Sequence, residues 1–422
     1  MEFTTIKGFK DILPEEVGTW QRVEAVTRVL FRAFGFKEIR PPLLEVTDLF
    51  RRSIGEETDI VSKEMYTIPD GKGSGFTLRP EATASIVRSY VQHRLYQNAS
   101  VVKLFAIGPM FRHERPQRGR FRQFHQIDAE TLNDPGPRSD AEIILLVMSL
   151  FQVLGLTGLS LHVNSLGCPQ CRPRFREELK AYLGRKSSEL CEDCRRRAET
   201  NPLRVFDCKV EGCRAVVKDA PSILSFLCGD CESHFQKLQE LLGESGLAFQ
   251  VDPSLVRGLD YYTRTTFEVQ TDRLGAQNAV AGGGRYDGLV KQVGGPDHTG
   301  IGFAIGVERL IALLEEAVGK QSAEGPDLFL IGLGEKAESM VFRWASELRK
   351  YGFWVEMVYA SKSLKAQLKE ADRVGAKRVL IVGDNELASG KGILRDMSSK
   401  SQSEIELAGL IEELKNRIAQ RA

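Results

Sequence analysis

Residues 111–126 read FRHERPQRGRFRQFHQ, a run that combines five arginines with one glutamate and with phenylalanines at 121 and 124. The apolar segment VVKLFAI (101–107) precedes this run, and QIDAE (126–130) follows it. We therefore predict a β-hairpin whose long arginine-rich loop bends at Pro116 and Gly119. Arginine binds phosphate and carboxylate groups in a bidentate geometry, and phenylalanine offers a flat face to a nucleotide base. A solvated basic loop without a ligand is the alternative.

Strand and helix patterns alternate on both sides of this hairpin. The predicted elements are a helix over 15–34, a strand over 36–44, a hairpin over 63–79, a helix over 139–154 and strands over 254–269 and 300–306. The strand over 36–44 should lie at a sheet edge, because Pro41 and Pro42 cannot donate backbone hydrogen bonds. Antiparallel strands with interspersed helices favour an α+β core over a doubly wound sheet.

The chain is expected to hold a core that is interrupted once and followed by a separate domain. The predicted segments are 1–167 (first part of the core), 168–243 (cysteine-rich helical insertion), 244–322 (second part of the core) and 326–422 (C-terminal α/β domain). A polar linker, Gln321 to Pro326, precedes the last segment. There the alternation of strands and helices predicts a βαβ unit that ends in an amphipathic helix over 404–419.

Length and composition allow two or three domains, since the chain has 422 residues and a hydrophobic content of 42%. No apolar run reaches the roughly 18 residues of a membrane-spanning helix, and the N-terminal sequence lacks the order of a signal peptide. These features predict a cytoplasmic protein without membrane contact. The net charge is only +1, so a polyanion would have to bind local basic patches such as the 111–126 loop.

All eight cysteines lie between residues 168 and 231. They form four close pairs, Cys168 with Cys171, Cys191 with Cys194, Cys208 with Cys213, and Cys228 with Cys231. Nineteen residues separate the first two pairs, a spacing typical of a four-cysteine zinc site, and the last two pairs are expected to form a second set. Thiols without a metal are the alternative, and a disulfide framework is not expected in a reducing compartment.

Three arginine-marked or glycine-marked elements follow one another in order. They are Gly35…Pro42, Phe111-Arg112-x-Glu114…Arg120…Phe124, and Gly302…Gly306-x-Glu308-Arg309. In this order they resemble the three motifs of the class II aminoacyl-tRNA synthetases. Three further segments, GFKDILP (8–14), LVRGLDYYT (255–263) and GGGRYDG (282–288), resemble segments typical of the histidyl-tRNA synthetase family. The resemblance covers essentially the whole chain.

The resemblance implies an α+β fold, with the antiparallel-sheet catalytic core of a class II synthetase, a helical insertion and a C-terminal α/β anticodon-binding domain. It implies a ligase that joins L-histidine to tRNA(His) through histidyl-adenylate, with ATP as a substrate that binds together with Mg²⁺. It also implies a homodimer. We expect helix 15–34 and the Pro41-Pro42 strand to leave apolar surface that the chain alone cannot cover.

The resemblance further assigns roles at the ATP site. Arg112 matches the arginine that contacts the α-phosphate and the amino-acid carboxylate, and Arg257 matches an additional catalytic cation beside the same phosphate. Glu114, Arg120, Phe124 and Arg309 match the remaining ATP contacts, with Glu114 near the adenine amino group, Phe124 stacked on the base and Arg309 at the γ-phosphate. Two anions must react here, so positioning and charge stabilisation supply most of the catalysis.

Histidine recognition is implied for a second set of residues. Glu81 and Thr83 match contacts to the α-amino group, Gln126 matches a contact near the carboxylate, and Arg112 and Arg257 belong to the same site. Glu130 and Tyr262 match the pair that binds the two imidazole nitrogens, with Tyr261 lining the pocket. A carboxylate and a phenol can together recognise both ring nitrogens, and such a site should reject analogues that leave them unpaired.

Two other functions are compatible with parts of this pattern. One is the synthetase-like regulatory subunit of ATP phosphoribosyltransferase, which typically lacks the C-terminal domain and the complete histidine segments. The other is a generic adenylating enzyme, which would not explain the additional domain after residue 325. The cysteine pairs depart from the family pattern, because its insertion commonly lacks most of them. The zinc prediction therefore rests on spacing.

Overall fold

The computed structural model describes residues 3–56, 58–71, 75–116, 119–274, 278–318 and 325–419. The chain divides into two compact units, Met1–Gln321 and Ser322–Ala422. Most of the predicted linker, and Arg118 of the arginine-rich loop, lie outside the described residues. Within the described residues, no helix has the length and apolar character needed to cross a membrane.

An eight-stranded sheet forms the centre of the first unit, in the order β1-β5-β6-β11-β10-β9-β7-β8. Its strands are β1 (Lys37–Glu38), β5 (Val102–Phe111), β6 (Gln123–Leu132), β7 (Ser160–Ser165), β8 (Gln250–Val251), β9 (Thr263–Gln270), β10 (Ala279–Arg285) and β11 (Gly300–Gly306). Every interior pair is antiparallel, while β1 and β8 add to the edges in parallel. This confirms the predicted arginine-rich hairpin and the antiparallel core.

A three-stranded sheet stands apart from the large one, in the order β2-β4-β3. Its strands are β2 (Leu44–Val46), β3 (Tyr66–Ile68) and β4 (Phe76–Leu78). The single strand predicted over 36–44 was therefore wrong. The chain forms β1, leaves the large sheet around Pro41 and Pro42, and enters the small sheet as β2.

The helices of the first unit cover the large sheet and form most of the chain between β7 and β8. They are α1 (Pro14–Ala33), α2 (Thr47–Ile54), α3 (Thr83–Gln92), α4 (Pro137–Val153), α5 (Arg172–Arg185), α6 (Glu192–Thr200), α7 (Glu211–Lys218), α8 (Gly229–Glu244), α9 (Leu289–Gln292) and α10 (Val307–Val318). Helix α1 begins with a proline in its first turn and buries Val23 and Phe31 against the sheet. Val29 on the same helix is 73% exposed, so the chain covers one face of the helix and leaves apolar surface on another.

The predicted strand over 254–269 is shorter in the structure. Only β9 is extended and paired, and residues 254–262 form a loop. Tyr261 and Tyr262 of this loop pack in a cluster with Tyr286. The apolar residues that suggested a strand therefore fill a pocket.

The second unit has a mixed five-stranded sheet in the order β13-β12-β14-β15-β16. Its strands are β12 (Leu328–Leu333), β13 (Val355–Met357), β14 (Arg378–Gly383), β15 (Lys391–Asp396) and β16 (Gln402–Glu406), and its helices are α11 (Glu335–Lys350), α12 (Leu364–Arg373), α13 (Asp384–Ser389) and α14 (Leu410–Ala419). The final helix predicted over 404–419 was wrong in its first part. There β16 pairs with β15, and Gly409, at φ 75°, precedes α14.

Candidate active site

A cavity of about 340 Å³ lies against strands β6, β9, β10 and β11. It brings together nearly all the residues that the sequence predicts for one site. Those that line it are Glu81, Thr83, Arg112, Glu114, Arg120, Phe124, Gln126, Arg257, Tyr261, Tyr262 and Arg309. Glu130 is the exception, since it is buried and its carboxylate accepts a hydrogen bond from the hydroxyl of Thr83.

The arginine-rich hairpin supplies one end of the cavity. Arg112 donates from Nε to the carbonyl of Pro80 at 2.8 Å, and its guanidinium lies 5.2 Å from the centre of the Phe124 ring. Arg120 forms an ion pair with Glu114 at 2.8 Å. Arg309 donates to a backbone carbonyl of β10 at 2.6 Å. Backbone and carboxylate acceptors thus hold three cations at the same end.

Glu81 lines the buried acidic side of the cavity, and Glu130 lies next to it, against the hydroxyl of Thr83. The Glu81 carboxylate accepts hydrogen bonds from the backbone N–H groups of Thr83 and Ala84 at 2.8 and 2.9 Å, and these bonds fix the start of α3. Glu130 accepts the hydroxyl of Thr83 at 2.6 Å and that of Tyr286 at 2.5 Å. Burial raises the pKa of Glu81 above its ordinary value and that of Glu130 to about 8.

Asp128 is a site residue that the sequence analysis missed. It is 1% exposed and lines the cavity between Gln126 and Glu130 on the same face of β6. Among the described residues, neither of its carboxylate oxygens has a hydrogen-bond partner. Burial, together with the nearby charges of Glu130 and Glu81, raises its pKa well above the ordinary value. A buried carboxylate without a donor is costly, so this position favours a ligand that brings one.

Arg257 lies on the loop before β9 and forms an ion pair with Glu268 of that strand at 2.6 Å. The sheet register places Gly282 opposite Glu268. A Cβ atom built on Gly282 would lie 2.5 Å from the guanidinium carbon of Arg257. Glycine therefore leaves the space that the arginine occupies, and Glu268 is a second residue that the sequence analysis missed.

The GGGRYDG segment serves two purposes. Gly282 lines the cavity and Tyr286 donates to Glu130 beside it, whereas Arg285 does not line the cavity and is fully buried. There the guanidinium pairs with Asp140 and donates to the carbonyls of Asp134 and Gly136 at 2.9 and 3.0 Å. Burial alone would raise the pKa of Asp140, but the charge of Arg285 and a hydrogen bond from His234 bring it below the ordinary value.

The eight cysteines form two groups of four, each with sulfur atoms within 4.8 Å of one another. One group consists of Cys168, Cys171, Cys228 and Cys231, and the other consists of Cys191, Cys194, Cys208 and Cys213. The predicted grouping of the first pair with the second was therefore wrong. Helix α5 leads away from the first pair and α8 returns beside it, so one group is nested within the other.

Comparison with known proteins decides the family. The family model described as Histidyl-tRNA synthetase matches residues 8–310. The chain belongs to the histidyl-tRNA synthetase family. A second family model, described as Anticodon binding domain, matches residues 327–417.

Individual relatives of the family match over nearly the full chain. The chain is 56% identical to the histidine–tRNA ligase of Desulfosudis oleivorans over 404 residues, and this match covers 95% of each sequence. It is 54% identical to that of Desulfatibacillum aliphaticivorans, with 96% of each covered. The crystal structure of apo S. aureus histidyl-tRNA synthetase superposes with a TM-score of 0.83 at 36% identity, covering 98% of this chain and 100% of that one.

Proposed function

We propose that this protein ligates L-histidine to tRNA(His), by forming histidyl-adenylate from ATP with release of pyrophosphate and then transferring the histidyl group to the 3′-terminal adenosine. The observation that carries the proposal is one cavity that combines the arginine-rich hairpin with Glu81, Gln126, Tyr262 and Arg257. Family membership and the full-length similarity to histidine–tRNA ligases support it.

In the first step, the histidine carboxylate attacks the α-phosphate of ATP, and pyrophosphate leaves. Arg112 and Arg257 bind the α-phosphate and neutralise the charge that develops on it. Arg309 binds the γ-phosphate, with Mg²⁺ entering together with ATP. Phe124 stacks on adenine, and Glu114 accepts a hydrogen bond from the amino group of adenine. Arg120 adds positive charge beside the phosphates.

Histidine is held through its two polar ends. The α-ammonium group binds Glu81 and Thr83, and Asp128 is the additional carboxylate within reach of this end of the cavity. Gln126 contacts the carboxylate side. Glu130 and Tyr262 bind the imidazole nitrogens, and Tyr261 closes the pocket against them.

The second unit is proposed to bind the anticodon stem of the tRNA. It matches the anticodon-binding family model, and exposed lysines such as Lys362 and Lys365 could contact phosphates. A cytoplasmic location belongs to the same proposal, since translation consumes charged tRNA there. The two four-cysteine groups are candidates for structural zinc.

A homodimer is also proposed, on the strength of an apolar patch on the three-stranded sheet. Val46, Phe76 and Ile68 are cross-strand neighbours, and they are 51%, 43% and 50% exposed. Adjacent exposed apolar side chains favour association, and a two-fold axis would bury the same patch on both subunits. Sedimentation should give a dimer at micromolar concentration, and Phe76→Glu should shift it towards monomer. A stable monomer of the unmodified protein would contradict the proposal.

ATP–pyrophosphate exchange with each amino acid in turn tests the function. Histidine alone should support exchange, and tRNA(His) should then be charged. Arg257→Ala should lower kcat with little change in the KM for histidine, because the cation acts on the developing charge. Lys291→Ala, which removes an exposed cation of the same unit, is the matched control. Exchange without histidine, or preferentially with another amino acid, would refute the assignment. Absence of exchange would favour a regulatory protein.

A further inference from the structure

The inner cysteine group has the geometry of a closed metal site. Four sulfurs bound to one zinc ion at about 2.3 Å lie about 3.8 Å from each other. In this group, the sulfurs of Cys191 and Cys208 are 3.9 Å apart, and all four lie within 4.8 Å of one another. The backbone N–H of Cys191 points at the sulfur of Cys213 at 3.2 Å. A donor directed at sulfur stabilises the thiolate, which is the form that binds a metal.

The outer group repeats the same features. The sulfur of Cys168 lies 3.6 Å from that of Cys171 and 3.8 Å from that of Cys228. The backbone N–H of Cys228 points at the sulfur of Cys171 at 3.1 Å. This group joins the start of the predicted insertion to the start of α8. Both groups thus have the same sulfur spacing, and in each a backbone N–H points at a sulfur. Thiols that bind no metal would need neither feature.

The inner group lies next to the wall of the catalytic cavity. Asp207 lines the cavity together with Arg257, and the next residue in the chain is the cysteine at 208. Arg204 donates to the carbonyl of Gly258 at 2.6 Å, one residue beyond the catalytic arginine. Asn201 donates to Asp260 at 3.2 Å. Residues 201–208 therefore connect the inner cysteine group to the loop that carries Arg257.

The segment also packs in a small apolar cluster of the region between β7 and α8, in which Val205 is fully buried together with Phe175 and Leu179. Residues 202–205 form one short 3₁₀ turn between α6 and the cysteine at 208, and α6 and α7 have only nine and eight residues. The apolar cluster around these short elements is small, so a bound metal would add to their stability. Two of its ligands precede the 201–207 segment and two follow it, which fixes the segment at both ends.

We propose that Cys191, Cys194, Cys208 and Cys213 bind one structural zinc ion, and that this ion holds residues 201–208 as a wall that positions Arg257 in the catalytic cavity. The outer group binds a second zinc ion at the base of the insertion. Neither ion has an open coordination position, so neither acts on substrate. The part that concerns catalysis rests on the proposed histidine activation, whereas the metal content does not.

Metal analysis of the full-length protein, purified without chelator, is the first measurement. We expect about two zinc ions per chain, and loss of about one in the double variant C191S/C213S. Protein prepared with Co²⁺ should show the visible absorption of tetrahedral cobalt thiolates, at about half intensity in the double variant. Less than about half an equivalent of zinc in the unmodified protein, with histidine-dependent exchange intact, would overturn the proposal while leaving the function in place.

Positioning is tested by variants that leave all eight cysteines in place. Arg204→Ala should keep both zinc ions but lower the kcat of exchange roughly 10- to 100-fold, with a smaller change in the KM for histidine, because a misplaced catalytic group slows the reaction. Arg204→Lys should recover part of the rate. Arg196→Ala is the control. It removes an exposed arginine of α6 whose side chain, among the described residues, pairs only with the exposed Asp193, and it should behave like the unmodified protein.

The outcomes of the two series separate the alternatives. If Arg204→Ala and C191S/C213S, each folded by circular dichroism, exchange at the unmodified rate, the ion does not position the site. If the double variant does not fold, Arg204→Ala alone decides, since its metal content and kinetics are measured on the folded protein. Failure of the unmodified protein to activate histidine would refute the proposed function instead.

Discussion

Arg285→Met is the substitution that best separates a structural role from a catalytic one. Arg285 lies in the segment GGGRYDG, which resembles a histidine-specific part of the family, yet its guanidinium is fully buried against Asp140. It also donates to the carbonyls of Asp134 and Gly136 and to the hydroxyl of Ser139 at 2.9, 3.0 and 3.1 Å. Its removal would leave the carboxylate of Asp140 without its cation in the interior.

The expected cost follows from this burial. Breaking a buried pair by removing one partner costs about 3–5 kcal/mol. With an unfolding entropy of about 2.1 cal/mol/K per residue over the first unit, Met1–Gln321, the melting temperature should fall by about 4–7 °C. Exchange activity at 20 °C should be largely retained, because Arg285 does not line the cavity. Lys291→Met, which breaks an exposed pair with Asp297, is the control and should shift the melting temperature by less than about 2 °C.

The double variant Arg285→Met, Asp140→Leu tests the cause. If an uncompensated buried charge is responsible, replacing both partners with apolar groups should recover part of the loss. Because the pKa of Asp140 is lowered in the folded protein, the pair stabilises it above the ordinary aspartate pKa of 3.8, and this contribution is lost as the pH falls through the lowered value. A melting temperature that does not change in Arg285→Met, together with loss of exchange, would refute the structural role.

Three further substitutions or deletions are expected to have distinct effects. Gly282→Ala should displace Arg257 and lower the exchange rate at least roughly tenfold, whereas Gly288→Ala, whose Cβ would meet nothing within 4 Å, should be neutral; equal rates in steady-state assays would contradict this. Glu130→Gln should flatten the pH dependence of the melting temperature. The pKa of the Glu130 carboxyl is raised from 4.5 to about 8 in the folded protein, so this group favours the folded state at low pH and loses that contribution as the pH rises to 8. The same pH dependence of the melting temperature in both proteins would disprove the prediction. Deletion of residues 325–422 should preserve histidine activation but abolish efficient charging of tRNA(His), and normal charging by the shortened protein would rule out the anticodon role.

Local patterns predicted the hairpin and many of the residues around it. The strands on both sides of the arginine-rich loop are apolar and sufficiently long to be recognised, and the structure pairs Val102–Phe111 with Gln123–Leu132. The site residues that the resemblance named all line the cavity except Glu130. Asp128 could also have been found, because it shares the face of β6 with Gln126 and Glu130 at a spacing of two residues.

Other features depend on contacts between distant segments and leave no local pattern. Glu268 meets Arg257 only because the sheet register sets Gly282 opposite it. The pairing of Arg285 with Asp140 was not predicted, since nothing near either residue in the sequence indicates it. The cysteine pairs were combined in chain order, but the path of α5 and α8 determines which pairs meet. In each case, tertiary topology decided the outcome.

The nesting of the two cysteine groups has a consequence for the order of assembly. Synthesis from the N-terminus completes the inner group at Cys213, before Cys228 and Cys231 emerge. Closing a loop costs entropy that rises with the logarithm of its length. Once the inner group has closed, the chain between Cys171 and Cys228 is effectively shorter, so the outer group closes at lower cost. With zinc bound as proposed, the insertion would assemble from its centre outwards, and until the last two cysteines arrive, Cys168 and Cys171 lack the second half of their site.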